Sequence, residues 1–84
     1  MRALVRFPAC YRATLWLLDQ PFRCLTHDLH REGMRVHFAG EMPRAATIGR
    51  VGSVCLDANE LEGVEMRCEV RHLTGRDVGL RFLL

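Results

Sequence analysis

Val64-Glu-Met-Arg-Cys-Glu-Val-Arg-His72 decides the fold, because apolar and charged side chains alternate along it. A period of two places successive side chains on opposite faces of a β-strand. Val64, Met66, Cys68 and Val70 would therefore face a core, while the glutamates and arginines between them would face solvent. The stretch predicts a half-buried antiparallel strand.

The same alternation recurs in five further stretches. Two are clear, Met34-Arg-Val-His-Phe38 and Val78-Gly-Leu-Arg-Phe82, and three are weaker, Arg12 to Leu18, Phe22 to Thr26 and Val51 to Asp57. We interpret all of them as strands whose apolar side chains point inward. The chain is thus expected to contain six strands.

Turn residues mark the connections between these strands. Asp19-Gln-Pro21 ends the first strand, Leu73-Thr-Gly-Arg-Asp77 predicts a tight hairpin around Gly75, and residues 39–49 predict a loop on one rim. No segment predicts a convincing helix. Because closure removes exposed strand edges, the pattern predicts an all-β fold, a small six-stranded antiparallel barrel, split or closed, with little or no helix.

Composition narrows the classes of function. The 84 residues form one predicted domain, 1–84, with 12 basic residues that are all arginine, 10 acidic residues and a net charge of +2. This mild positive charge suits a small anionic ligand better than duplex nucleic acid, which usually needs a clustered basic face. No stretch has the apolar core of a signal peptide or membrane helix, so we expect a cytoplasmic protein without membrane insertion.

Two short motifs point to a ligand. Arg2-Ala-Leu-Val-Arg6 lies near the start, and Asp28-Leu-His-Arg-Glu-Gly33 runs into an alternating strand. Together they resemble the signature of the PilZ domain family, an Arg-x-x-x-Arg segment followed by an Asp/Asn-x-Ser-x-x-Gly segment. The stretch from Val78 to Phe82 is similar to the last strand of that family's barrel. The resemblance implies binding of the bacterial second messenger cyclic di-GMP, with no other cofactor.

The resemblance assigns a role to each motif residue. Arg2 and Arg6 would donate forked hydrogen bonds to phosphate or to the O6 and N7 atoms of guanine. Asp28 would accept hydrogen bonds from the guanine amino and imino groups, and Gly33 would allow a tight turn and leave room for the base. His30 stands where the family has serine, which is a departure from the signature. The absence of the serine hydrogen bond would weaken binding by about 1 kcal/mol.

The resemblance also implies a receptor that acts through a partner. Residues 1–8 show no period, so we expect a mobile N-terminal arm that closes over the ligand and presents a new surface to an effector protein. The alternative is a degenerate PilZ-like domain that binds no nucleotide and serves as a protein interaction module. Single-stranded nucleic acid, bound by arginines beside exposed aromatic side chains, ranks below both and is not an expected partner.

The motif residues have ordinary interpretations as well. Arg2 and Arg6 could be a solvated terminus, Asp28 and Gly33 a simple turn at the start of a strand, and His30 a surface position. No nucleophile, base and orienting group form a recognised catalytic motif, so we do not expect an enzyme.

Several other side chains are expected to be structural or unremarkable. Trp16 and Phe22 are expected in the core, and the cysteines Cys10, Cys24, Cys55 and Cys68 are expected mainly as small core hydrophobes. The remaining histidines, His27, His37 and His72, are interpreted as ordinary exposed positions, and no metal ligand is predicted.

Overall fold

The computed structural model of the chain describes residues 11–57 and 65–83, and this part contains six β-strands and no helix. The strands are β1 (Tyr11–Leu17), β2 (Gln20–His30), β3 (Gly33–His37), β4 (Val51–Leu56), β5 (Glu65–Thr74) and β6 (Asp77–Phe82). Their number and their approximate positions confirm the all-β prediction.

The strands close into an antiparallel barrel in the order β1-β2-β3-β6-β5-β4, with β4 pairing back onto β1. The barrel is closed rather than split, because every strand has a hydrogen-bonded neighbour on each side. Closure removes the free edges that would otherwise recruit other strands. It also fixes which strands share a surface, and β3 lies between β2 and β6.

Apolar side chains from all six strands and from the loop after β3 fill the barrel. The buried hydrophobic residues are Ala13, Leu15, Leu17, Cys24, Met34, Val36, Phe38, Ala46, Val54, Leu56, Cys68, Val70, Val78 and Leu80. The one buried polar side chain among the described residues, Thr26, directs its hydroxyl to the Met34 sulfur at 3.5 Å. Close packing of such a core favours ligand binding on the outer surface of the barrel.

Two of the cysteines confirm the prediction that they act as small core hydrophobes. Cys24 and Cys68 are buried, and Cys24 donates a weak hydrogen bond to the Ala13 carbonyl oxygen. Burial raises the pKa of Cys24 to about 12, with a further contribution from the Asp57 carboxylate, and burial raises that of Cys68 to about 11. Cys55 is only half-buried, and Cys10 lies outside the described residues.

The connections follow the predicted turn chemistry with one shift. Leu18 and Asp19 have positive φ angles of 53° and 62°, as in a type I′ hairpin turn, so β2 begins at Gln20, earlier than the turn signal suggested. Gly75, at φ 59°, supplies the left-handed residue of the β5–β6 hairpin as predicted. Residues 38–50 form the predicted loop, which is fastened to β5 by the Gly49 amide donating to the Val70 carbonyl.

The prediction for Trp16 is wrong. Trp16 is 40% exposed, whereas its neighbours Leu15 and Leu17 are completely buried. The alternation of β1 explains the difference, because Leu15 and Leu17 point inward and Trp16 must point outward. Phe22 packs against the core as expected, although it is only partly buried.

The second strand is longer than predicted and changes face partway along. Cys24 and Thr26 point inward, but the pairing of β2 with β3 shifts between Thr26 and Asp28, which leaves His27 as an extra residue in a β-bulge. Beyond the bulge Leu29 is the residue that packs on the core. The bulge therefore turns the following alternate residues to the outer surface.

Candidate ligand-binding site

Asp28 and His30 lie on the same outward face of β2. Asp28 is paired across the sheet with Arg35 of β3, and His30 with Gly33. If the inward alternation of Cys24 and Thr26 had continued, Asp28 and His30 would point into the core. The bulge at His27 thus brings together the polar residues of the second sequence motif.

The face continues from β3 onto β6. Gly33 is paired with Arg81, and Arg35 is paired with Gly79, so the rows that begin at His30 and Asp28 each extend across three strands. Arg35 and Arg81 are exposed. The surface beside the motif therefore carries guanidinium groups that the motif itself does not contain.

Gly33 is required for a reason that differs from the one predicted. The positive-φ glycines among the described residues are Gly49 and Gly75, so Gly33 is not in the left-handed region. A Cβ atom at Gly33 would instead lie 2.0 Å from the Leu80 carbonyl oxygen. The backbone of β6 occupies the space beside Gly33, and the residue allows β3 and β6 to approach closely.

The β2–β3 turn at Arg31 and Glu32 is held against the end of β6. The Phe82 amide donates to the Glu32 carbonyl oxygen at 2.8 Å. The Glu32 amide also lies 3.4 Å from Nδ1 of His30, which accepts a long hydrogen bond. In the neutral ring this leaves Nε2 as the protonated nitrogen. The turn and the imidazole are therefore positioned by main-chain contacts.

An open groove of about 460 Å³ begins at His30 and crosses toward β5. Three guanidinium groups, those of Arg31, Arg71 and Arg81, line it together with His72, and Glu32 is the one carboxylate among its lining residues. The charges of three arginines and one glutamate sum to +2 when histidine is neutral. Such a groove favours an anionic ligand.

A second bulge shapes the far wall of this groove. The pairing of β5 with β6 shifts between Val70 and His72, so Arg71 and His72 are both exposed while Leu73 returns to the core. Gly79 lies opposite His72, and a Cβ there would be 2.9 Å from the His72 Cβ. The missing side chain at Gly79 keeps this part of the surface open.

Sequence reasoning missed these groove arginines. Arg71 and Arg81 stand out in the sequence only as the outward residues of alternating strands. The order of strands in the barrel, which places β6 next to β3, is what brings Arg81 beside Gly33. Arg31 lies inside the second motif and was the one signal available from sequence.

Arg2 and Arg6 lie outside the described residues, as does the predicted arm 1–8. The described chain begins at Tyr11, which is paired with Thr26 of β2. β1 and β2 are antiparallel, so Tyr11, at the start of β1, lies beside the later part of β2. Tyr11 is therefore at the end of β1 that is nearer to Asp28 and His30.

A second group of polar side chains lies at the end of β3 and the start of β6, beside the bulge of β2. His27, His37 and Asp77 each offer a ligand atom, and these atoms lie within 4.8 Å of one another. Nδ1 of His37 and Oδ1 of Asp77 are 2.8 Å apart, and the rings of His27 and His37 make an edge contact with centroids 5.2 Å apart. The sequence did not predict this grouping, because His37 and Asp77 are 40 residues apart.

A closed barrel with a filled core and a cationic groove on its outer surface defines a class of small ligand-binding modules. The family model described as PilZ domain matches residues 2–84, and the chain belongs to this family. PilZ domains are receptor domains for cyclic di-GMP and act as binding modules rather than enzymes. No curated protein matches the chain.

Within residues 11–57 and 65–83, no helix has the length and apolar character needed to cross a membrane.

Proposed function

We propose that this PilZ domain binds cyclic di-GMP on the outer face of β2, β3 and β6 and relays its concentration to a partner protein. The observation that carries the proposal is the bulge at His27, which turns Asp28 and His30 outward beside Gly33. Asp28 and His30 thus share one outer surface beside the buried Gly33, in a family whose members receive this nucleotide.

The chemistry of the face suits a guanine nucleotide with two phosphates. Asp28 supplies an acceptor for the guanine N–H edge, and Arg2 and Arg6 supply planar donors for phosphate oxygens or for guanine O6 and N7. Arg31 and Arg81 lie next to His30 in the groove and add positive potential where a phosphate would approach. Asp28 itself is partly exposed, so a ligand can reach it.

The histidine in place of serine is compatible with this arrangement. His30 is opposite the small Gly33, and its Nδ1 is directed to the Glu32 amide of its own turn. The remaining nitrogen, Nε2, can donate to a ligand, as a hydroxyl would. We therefore propose that His30 is a tolerated change that lowers affinity by about tenfold or less.

The relay depends on the chain that precedes β1. Arg6 lies five residues before Tyr11, so its Cα can be at most about 18 Å from that of Tyr11. Tyr11 is directly beside Thr26, two residues before Asp28 on β2. Arg6 is thus within reach of a ligand at Asp28, and binding would order residues 2–8 into a surface that the effector protein recognises.

Calorimetric titration with cyclic di-GMP tests the binding. We expect micromolar affinity for the unaltered protein and at least a tenfold loss in Arg6→Ala, because a charge-assisted forked hydrogen bond disappears. Arg44→Ala is the matched control, since Arg44 is exposed on the loop of residues 38–50. If neither the unaltered protein nor His30→Ser releases or absorbs heat on titration with cyclic di-GMP, the proposal is wrong.

Amide hydrogen exchange tests the relay separately. Residues 2–8 should exchange more slowly when cyclic di-GMP is bound, whereas the buried strands should change little. Identical exchange of residues 2–8 with and without nucleotide would refute the ordering step while leaving binding intact.

A second candidate is a PilZ domain that serves only as a protein interaction module. It is favoured by three exposed apolar side chains, Trp16, Leu18 and Val51, which line one open depression on the outside of β1 and β4. Grouped exposed apolar side chains often mark a protein contact. Absence of nucleotide binding, together with a partner complex that Trp16→Ala dissociates, would favour this function.

A further inference from the structure

We infer that His27, His37 and Asp77 form a site for a divalent transition-metal ion of the zinc class. The three residues come from three adjacent strands, β2, β3 and β6, and meet on the outer face away from the arginine groove. This inference goes beyond cyclic di-GMP binding and does not depend on it, because neither Arg6 nor the groove residues take part.

The distances suit a metal ion after small side-chain adjustments. Ligand atoms in a tetrahedral zinc site, with bonds of about 2.0–2.1 Å, lie roughly 3.3 Å apart. Nδ1 of His37 and Oδ1 of Asp77 are 2.8 Å apart, and the ligand atoms of the three residues are within 4.8 Å of one another. Small side-chain rotations that move the ligand atoms by roughly 1 Å would therefore bring all three to bonding distance.

The backbone beneath the site is well held. His37 and Asp77 are a direct cross-strand pair between β3 and β6. Just beyond them the Phe38 amide donates to the Arg76 carbonyl at 2.9 Å, and the Arg76 guanidinium donates to the Ala39 carbonyl at 3.1 Å. Two of the three ligands are thus presented by a fixed main-chain frame, which reduces the entropy lost on binding a metal.

The bulge supplies the third ligand. His27 is the extra residue in β2, and its ring meets the ring of His37 edge-on at an interplanar angle of 78°. His27 is exposed, and the side chains of His37 and Asp77 are 36% and 37% exposed. Solvent can therefore reach the ligand atoms, and a water molecule can complete a fourth position.

The donor set selects the class of ion. Two imidazole nitrogens and one carboxylate oxygen suit zinc, cobalt or nickel, whereas magnesium and calcium prefer oxygen ligands alone. When the metal binds Nδ1 of neutral His37, the proton of that ring resides on Nε2, and the hydrogen bond to Asp77 is replaced by two metal bonds. The single carboxylate leaves a net charge of +1 on the occupied site.

Titration with zinc chloride in chelator-treated buffer tests the inference directly. Calorimetry should give one ion per chain, and His27→Ala, His37→Ala and Asp77→Asn should each weaken binding at least tenfold. His72→Ala is the matched control, because this exposed histidine of β5 lies outside the cluster. Zinc affinity that is unchanged in both His27→Ala and His37→Ala would overturn the site.

Cobalt substitution distinguishes this site from binding by cysteine. The described thiols include the half-buried Cys55, so a thiolate site is the competing source of metal affinity. Visible absorption of tetrahedral cobalt without a thiolate charge-transfer band is expected, and such a band would contradict the assignment. Ring-nitrogen NMR adds a readout in the unaltered protein, where zinc should shift the signals of His27 and His37 but not those of His72.

Failure of this inference and failure of nucleotide binding can be told apart. Arg6→Ala should weaken cyclic di-GMP binding at least tenfold and leave zinc affinity unchanged. His37→Ala should have the reverse effect. If both variants lost both activities, the metal site would not be independent and the inference would be wrong.

Discussion

The outer face of β2, β3 and β6 has two ends with opposite chemistry. The end at the β2–β3 turn carries arginines around His30 and forms a groove suited to anions. The other end carries His27, His37 and Asp77 and is suited to a cation. Both ends are built from the same three strands. Their difference in charge therefore comes from the side chains that the pairing register exposes at each end.

One backbone irregularity is shared by the two ends. The bulge at His27 turns Asp28 and His30 outward for the groove and also places His27 itself beside His37. If β2 instead paired regularly with β3 through His27, Asp28 and His30 would point into the core and the groove end would lose both side chains. In a barrel this small, the grouping of outward side chains depends on local shifts of register more than on the overall fold.

Deletion of His27 is expected to have the largest effect on the comparison. Removal of the extra residue restores regular alternation after Thr26, so Asp28 and His30 stay outward and Leu29 stays inward, while one ligand of the His27–His37–Asp77 cluster is lost. We expect zinc affinity, measured by calorimetry, to fall at least tenfold, and cyclic di-GMP affinity to change by less than about threefold.

His27→Ala is the control for that deletion, because it keeps the extra residue. It should lose zinc affinity and change the free energy of unfolding by less than about 1 kcal/mol. If the deletion protein kept its zinc affinity, or lost cyclic di-GMP binding while His27→Ala kept it, the separation of the two ends would be incorrect.

Gly33→Ala should have the next largest effect and should act mainly at the groove end. The new Cβ would meet the Leu80 carbonyl at 2.0 Å, so β3 and β6 must separate there. We expect a loss of about 3 kcal/mol in the free energy of unfolding. Gly40→Ala, with no atom within 4 Å of the added Cβ, should change it by less than about 0.5 kcal/mol. Equal effects would contradict the steric role.

The buried thiols of the interior provide a third comparison with the two ends of the outer face, because burial raises their pKa. Burial raises the pKa of Cys24 to about 12, above the ordinary value of 9.0 that we assign to the unfolded chain. Between these values the unfolded chain loses the thiol proton and the folded chain keeps it, so the free energy of unfolding falls as pH rises. Below about pH 9 both states are protonated and Cys24 contributes no pH dependence.

The expected decrease is about 1–2 kcal/mol between pH 9 and pH 10.5, measured by urea unfolding at each pH. Cys24→Ala should be less stable overall but should show a shallower decline. Cys55→Ala is the matched control, because it removes a thiol that is only half-buried. Parallel curves for the unaltered protein and Cys24→Ala would exclude this source of alkaline sensitivity.

Arg81→Ala should have the smallest effect and should separate the two ends most cleanly. Arg81 is exposed and lines the groove beside His30, so it contributes mainly long-range attraction. We expect cyclic di-GMP to bind about threefold more weakly at low salt, with a smaller difference at high salt, and zinc affinity to remain unchanged. A loss comparable to that in Arg6→Ala would show that Arg81 contacts the ligand directly.

Much of the barrel could be predicted from alternation. The inward residues of β3 and β6, such as Met34, Val36 and Leu80, were assigned correctly, because burial of one face imposes a period of two. The prediction failed where the period breaks. β2 was expected to stop at Thr26 because alternation is lost there, and the structure shows a bulge at His27 followed by three further residues of strand, Asp28, Leu29 and His30.

The candidate site was only partly visible in the sequence. Asp28, His30 and Gly33 were predicted because they follow a local motif, and in the structure Asp28 and His30 face outward beside Gly33, while their role in binding stays a prediction. Arg71 and Arg81 were not found, because they reach His30 only through the order of strands around the barrel. His37 and Asp77 are 40 residues apart, and no local pattern connects them.

Strand content, the apolar interior, the tight turn at Gly75 and the family motifs could be predicted without coordinates, since these depend on local alternation and on the preferences of single residues. Which outward side chains meet is set only in the folded barrel. Strand order, the closure of β4 on β1 and the bulges at His27 and Arg71 set those meetings. They follow from how all six strands together fill one small core, and no single segment carries that information.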